Sequence, residues 1–114
     1  MNDRKELLSN LINFERPLKS IMKRLRDFGW DSENELLEVT NAHIVNALQE
    51  YLNRKVSGYE IEEWANSIEG REDLKMKEEI KEVIYILANP CLTETLSQQV
   101  VIKLIGRLKN IKKS

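Results

Sequence analysis

Apolar residues recur along this chain at intervals of three and four, the spacing that places them on one face of an α-helix. Six such stripes occur, and no segment alternates convincingly with a period of two. The stripes contain Leu7, Leu8, Leu11 and Phe14; Leu18, Ile21, Met22, Leu25 and Phe28; Ile44, Ala47, Leu48, Tyr51 and Leu52; Ile61, Trp64, Ala65 and Ile68; Val83 to Ala88; and Val100, Val101, Leu104, Ile105 and Leu108. The pattern predicts an all-α fold, a compact bundle of about six short helices.

Capping and helix-breaking residues mark the ends of these stripes. Ser57 and Glu60 have the spacing of a capping box, in which two side chains bond free amides of the first turn. Pro17 disfavours helix at the preceding residue, so we expect a second helix with Pro17 in its first turn, or a kink there. Further predicted start signals are Asp3 with Glu6, Thr40, and Ser97, and the predicted stop signals are Gly29, Gly70 and Pro90.

Two segments between the stripes need separate interpretation. Residues 30–39 have no clear period and are rich in turn-favouring side chains. We interpret them as an extended connection anchored by Trp30, Leu36 and Leu37. A later helix is expected from about Lys75 onward. Its centre, residues 83–88, is apolar nearly all round, which is typical of a centrally buried helix.

The length and cysteine content of the chain limit the class of protein to which it can belong. A chain of 114 residues can form a single helical domain, residues 1–114, that buries about two-thirds of its unfolded surface without a disulfide or metal. Cys91 is the only cysteine and cannot form an internal disulfide, which is typical of a reducing compartment. We expect it to be a small buried or half-buried residue. No secretory leader and no run of about 20 apolar residues is visible. We therefore expect a cytoplasmic protein that does not bind membranes.

Charge is distributed unevenly, although the chain as a whole carries only −1. Residues 1–30 have a net charge of +3, residues 31–82 of −8 and residues 83–114 of +4. The middle segment includes a dense group of carboxylates that is opposed only by Arg71. Its members are Glu60, Glu62, Glu63, Glu69, Glu72 and Asp73. The group is either a solvated face or a surface that steers a partner of opposite charge.

The sequence shows no residue pattern that indicates catalysis. His43, the only histidine, has no nucleophile or orienting group nearby, so it is better explained as a surface or capping residue. Thr40 stands three residues before it, where a helical di-iron site would need a glutamate. Nucleotide-binding glycine patterns are also absent. We predict no catalytic, metal-binding or cofactor-binding residues, no cofactor and no enzymatic activity. An enzyme that uses carboxylates in a helical pocket is kept as a third hypothesis.

Residues 41–69 have the outline of a helix-turn-helix, with two predicted helices joined by a short turn. The second helix would have to enter the major groove of DNA. It contains no Lys or Arg before Arg71, and it carries Glu60, Glu62, Glu63 and Glu69. Phosphates would repel such a helix. We therefore predict no nucleic-acid partner.

For Trp64 and three polar residues that follow it, the question is whether each side chain is buried in the core or exposed on the surface. Trp64 is the largest side chain of its apolar stripe, so we interpret it as a core anchor. Asn66, Arg71 and Asp73 are less easily explained by packing. They belong either to an internal polar network or to a surface exposed for a partner, and the sequence leaves both alternatives open.

Several short blocks of residues resemble those of known proteins. They are Trp30-Asp31-Ser32, Thr40 with His43, Tyr51-Leu52, Trp64-Ala65-Asn66, Glu69-Gly70-Arg71-Glu72-Asp73 and Leu87-Ala88-Asn89-Pro90. In this order they are similar to blocks in a group of small helical bacterial proteins, over most of the chain beyond its first helix. Some members of that group resemble immunity proteins of contact-dependent growth inhibition and related polymorphic toxin systems.

The resemblance implies a protein that binds and neutralises one cognate toxin, often a nuclease, in the cytosol. A nuclease active site attracts phosphates and is therefore usually basic, so an inhibitor that occludes it benefits from an anionic surface. The expected partner-binding residues are Glu60, Glu62, Glu63, Glu69, Arg71, Glu72 and Asp73. The alternative is a helical adaptor or regulatory protein-binding module without a toxin partner. We leave the oligomeric state open, with a monomer as the working expectation.

Overall fold

Six α-helices pack around one apolar core in the computed structural model, which describes residues 3–28 and 34–110. The helices are α1 (Asp3–Ile12), α2 (Leu18–Leu25), α3 (Asn41–Leu52), α4 (Gly58–Ile68), α5 (Glu78–Ala88) and α6 (Gln98–Lys109). A 3₁₀ turn (Arg26–Phe28) follows α2, and two-residue strands occur at β1 (Leu37–Glu38) and β2 (Leu74–Lys75). The all-α fold predicted from the apolar periodicity is confirmed.

The break between the first two helices lies at Pro17, as the sequence predicted. Pro17 is the N-cap of α2, and the peptide bond between Arg16 and Pro17 is cis. Ile21 and Leu25 of α2 are buried in the core. Phe28, the last member of the predicted stripe, is exposed instead. The helix has become a 3₁₀ turn by then, and its three residues per turn carry Phe28 away from the buried face.

The predicted residues Thr40, Ser57 and Ser97 are the N-caps of α3, α4 and α6. In α4, Ser57 Oγ accepts a hydrogen bond from the backbone N–H of Glu60 at 3.1 Å, and Glu60 Oε1 accepts one from the N–H of Ser57 at 3.0 Å. In α3, the backbone N–H of Thr40 donates to Nδ1 of His43 at 3.0 Å. The imidazole thus fills the place that a glutamate has in the usual capping box. Ser97 Oγ accepts a bond from the first turn of α6.

A parallel strand pair occupies the position where the sequence predicted the start of a helix at about Lys75. The N–H of Leu36 donates to the carbonyl of Asp73 at 2.8 Å, and the N–H of Val39 donates to the carbonyl of Lys75 at 2.9 Å. These bonds hold β2 extended against β1, so α5 begins three residues later, at Glu78. The prediction of an earlier helix start was wrong because this pairing between distant segments overrides local helix preference.

The connection before α3 is extended where the structure describes it. Leu36 and Leu37 are half-buried against the core, as predicted for anchors. Three related predictions fall outside the described residues: anchoring by Trp30, the helix exit at Gly29, and the cap by the Asp3 side chain. The predicted helix end at Gly70 is confirmed, since this glycine has the left-handed φ of +82° that follows many helices.

Helix α5 is buried on one face only, contrary to the prediction of a centrally buried helix. Val83, Ile84 and Leu87 lie in the core and face α4, whereas Tyr85 is 46% exposed. The apolar run at the centre of α5 therefore predicted more burial than the helix has, because a tyrosine at its outer edge keeps its polar end in water. An ion pair of 2.7 Å between Glu82 and Arg107 connects α5 with α6.

Candidate partner-binding surface

Helix α4 is fixed in place by its apolar face. Ile61, Trp64 and Ile68 are fully buried. The indole N–H of Trp64 donates to the backbone carbonyl of Leu11 at 2.7 Å, and its ring lies 5.4 Å from that of Phe14. The core role predicted for Trp64 agrees with this position. Because one side of the helix is held so firmly, its opposite side is a rigid platform.

The carboxylates predicted to bind a partner are divided by the fold. Glu62 and Glu63 are half-buried on α4, Glu69 is half-buried at its C-cap, and Glu72 is exposed in the turn that follows. We call these four residues the acidic face. Glu60 is committed to the capping box with Ser57, so its carboxylate already has a donor.

Few cations balance the acidic face. No ion pair joins its four glutamates to a lysine or arginine in the part of the chain that the structure describes. The amide of Asn89, which follows α5, lies 3.4 Å from Glu69 Oε2 and 3.5 Å from Glu69 Oε1, distances at the outer limit of a hydrogen bond. The negative charge of this face is therefore available to a partner.

Arg71 and Asp73 lie in the interior, away from the acidic face. Asp73 is fully buried and accepts hydrogen bonds of 2.9 Å from Nε and from a terminal nitrogen of Arg71. Arg4 of α1 donates to the same carboxylate from its Nε, also at 2.9 Å. Of the two alternatives that the sequence left open, the structure has the internal polar network for these two residues. Asn66, in contrast, is exposed.

The Asp73 carboxylate is kept ionised by its two arginines. Burial raises the pKa of Asp73, but the hydrogen bonds and positive charges of Arg71 and Arg4 outweigh that effect and lower the pKa below its ordinary value. The backbone carbonyl of Asp73 also receives the N–H of Leu36 in the strand pair. Asp73 thus joins α1, the strand pair and the turn after α4, which is a structural role.

The geometry of His43 suits a cap. Its Nδ1 accepts the N–H of Thr40, so this nitrogen carries no proton in that bond. Burial lowers the pKa of His43 from its ordinary value. Both facts favour the neutral imidazole. The capping role considered from the sequence is the one that the structure has.

Two other side-chain features bear on chemistry. Cys91 is exposed, which corrects the prediction of a buried or half-buried residue. The correction has a local reason: Cys91 follows Pro90 in the turn after α5, where the backbone has already left the core. No group of three or more His, Cys, Asp or Glu side chains within the described ranges could hold a metal ion.

Sequence reasoning did not single out two features that the fold creates. Arg4 reaches Asp73 across 69 residues of sequence, a contact for which neither periodicity nor motif gives a signal. An open depression of about 430 Å³ lies where the end of α3 meets the starts of α4 and α6. Its lining includes Tyr51, Arg54 and Gln98.

Comparison with known proteins found no match to this chain. No family model matches the chain, and searches of the curated proteins and of the solved structures found no significant similarity. In residues 3–28 and 34–110, no helix combines the length and the apolar character that a membrane span requires.

Proposed function

We propose that this chain is an immunity protein that binds one basic toxin through the acidic face of α4 and neutralises it by covering its active site. The observation that carries the proposal is a set of four glutamates on and directly after α4, a helix whose other side lies in the core. None of the four forms an ion pair with another described residue. The resemblance of the sequence blocks to immunity proteins supports the same function. No reaction is assigned to this chain.

Electrostatics explains why such a face suits an inhibitor. A toxin that acts on nucleic acid presents a basic active site, because it must attract phosphates. Carboxylates that are not already paired speed the encounter and select against partners of the wrong charge. A rigid helix also loses little conformational freedom when it docks, which leaves more of the interaction energy for affinity.

The proposed partner-binding residues are therefore fewer than the sequence predicted. Glu62, Glu63, Glu69 and Glu72 remain as contacts with the toxin. Arg71 and Asp73 support the turn from within and are not proposed as contacts, and Glu60 contributes mainly to the helix cap.

Co-expression with the product of the adjacent gene tests the proposal directly. We expect the two proteins to co-purify and the chain to protect cells that produce the toxin. Charge reversal at Glu63→Lys with Glu72→Lys should slow association, most strongly at an ionic strength of about 0.01 M, where screening is least. The matched control is Lys103→Glu with Lys109→Glu on α6, which should leave association unchanged or faster.

Two outcomes would contradict the proposal. If the folded acidic-face variant protects cells as well as the unmodified chain does, and its association rate at low salt is unchanged, the toxin does not dock on this face. If the unmodified chain neither co-purifies with the neighbouring gene product nor protects cells from it, the adaptor alternative replaces the immunity function.

A further inference from the structure

A basic stripe runs along the outer side of α2. Lys19, Lys23 and Arg26 follow one another at intervals of four and three residues, so they project from one face of the helix and its final turn. All three are exposed, and no ion pair involves them within the described residues. The opposite side of α2 is occupied, because Ile21 and Leu25 lie in the core. What remains for a partner is a row of positive charges.

An acidic stripe of the same length runs along α4. Glu62, Asn66 and Glu69 also follow one another at intervals of four and three residues, and they lie on the solvent side of the helix or at its C-cap. Seven residues of helix correspond to about 10.5 Å. The backbone positions of the first and last charged residues are therefore about equally far apart in the two stripes, and their charges have opposite signs.

We propose that a second copy of this chain docks its basic stripe on the acidic stripe. When the two helices lie side by side, Lys19 and Arg26 of one copy reach Glu62 and Glu69 of the other, and Lys23 lies opposite the uncharged Asn66. The argument is charge complementarity between two surfaces of equal length, both of them on this chain. Contacts of exposed charges are individually weak and sensitive to salt, so the dimer is a weak one.

Both stripes belong to helices that pack against α1. In the proposed dimer the contact forms twice, and each copy supplies the basic stripe to one contact and the acidic stripe to the other. A two-fold symmetric dimer then contains each contact twice and closes on itself. Because Glu62 and Glu69 also belong to the acidic face, a basic partner and a second copy compete for them.

Sedimentation equilibrium of the purified chain tests this inference without any toxin, so the result is independent of the function proposed above. We expect the mass at about 0.01 M ionic strength to rise with concentration from 13.4 kDa towards that of a dimer, and to return to 13.4 kDa at about 1 M. Two charge-reversed variants follow: a basic-stripe variant, Lys19→Glu with Arg26→Glu, and an acidic-stripe variant, Glu62→Lys with Glu69→Lys.

Each variant alone should be monomeric, since its two stripes carry the same sign. An equimolar mixture should associate, because every contact between unlike variants again joins opposite charges. The matched control, Lys103→Glu with Lys109→Glu, changes net charge as much as the basic-stripe variant does and should behave like the unmodified chain. If Glu69→Lys disturbs folding, the single changes Lys19→Glu and Glu62→Lys provide the same comparison.

The inference is overturned if the unmodified chain stays at 13.4 kDa at low salt. It is equally overturned if either folded variant still associates by itself, or if the mixture of the two remains monomeric.

Discussion

Replacing Trp64 by alanine should destabilise this protein more than any other single truncation on α4. The side chain is fully buried, and truncation of a buried tryptophan typically costs about 3–5 kcal/mol. The substitution also removes the hydrogen bond from the indole N–H to the carbonyl of Leu11, and the loss of one such bond costs about 0.5–1.5 kcal/mol more. That carbonyl still accepts the N–H of Phe14 at 3.0 Å, so it is not left without a partner. The expected loss is therefore about 3.5–6.5 kcal/mol, part of which the core can recover by collapsing around the cavity.

That loss is comparable to the total stability of such a domain, which is about 5–15 kcal/mol. Trp64→Ala is therefore expected to be largely or partly unfolded at room temperature. Trp64→Phe keeps an aromatic ring beside Phe14 but lacks the N–H, so its cost should be smaller and should include the loss of one hydrogen bond, about 0.5–1.5 kcal/mol. The difference between the two variants separates packing from hydrogen bonding.

Urea unfolding monitored by far-ultraviolet circular dichroism measures these changes. Tyr59→Ala, on the same helix but 67% exposed, is the matched control and should change the free energy of unfolding by less than about 0.5 kcal/mol. If Trp64→Ala lowers the free energy of unfolding by less than about 1 kcal/mol, the reasoning from burial is refuted. A stable Trp64→Ala variant that loses its partner would instead make Trp64 an interface residue.

Two further predictions concern ionisable groups. Asp73→Asn leaves Arg4 and Arg71 partly or fully buried without their carboxylate and should cost about 3–5 kcal/mol, measured by chemical unfolding near pH 7. Because the pKa of Asp73 is lowered by folding, its contribution is complete above the unfolded pKa and is lost as the pH falls towards the folded pKa. The pKa of His43 is also lowered, so the unfolded chain binds its proton first and stability should fall as the pH drops below about 6.5. His43→Gln, which can still accept the N–H of Thr40, should remove that loss.

Thermal unfolding across a pH series provides the check for both groups. An Asp73→Asn variant as stable as the original chain would show that the buried ion pairs contribute nothing net. If the stability of His43→Gln still falls between about pH 7 and pH 5 as much as that of the original chain does, the titrating group is not His43.

Local sequence was sufficient to predict most of the helices of this protein. The apolar stripes of α1, α3, α4 and α6 and the caps at Thr40, Ser57 and Ser97 are short-range features, because a helix bonds residues four apart and buries positions three and four apart. The same reasoning identified Trp64 as a core residue and Gly70 as a helix exit. It also found the carboxylates of the acidic face, since charge density can be counted along the chain.

Only the tertiary structure decided which of the charged residues face water. Arg71 and Asp73 stand among the glutamates in sequence, yet both are buried. Arg4 of α1 donates to the carboxylate of Asp73, and the N–H of Leu36 donates to its backbone carbonyl. Two-residue strands are too short to produce a periodic pattern, so the pairing of Leu37 with Leu74 has no sequence signal. The sequence determined the helices through contacts within a turn or two. The fold determined the polar network through contacts between segments far apart in the chain, where burial and charge balance depend on neighbours that a local pattern does not contain.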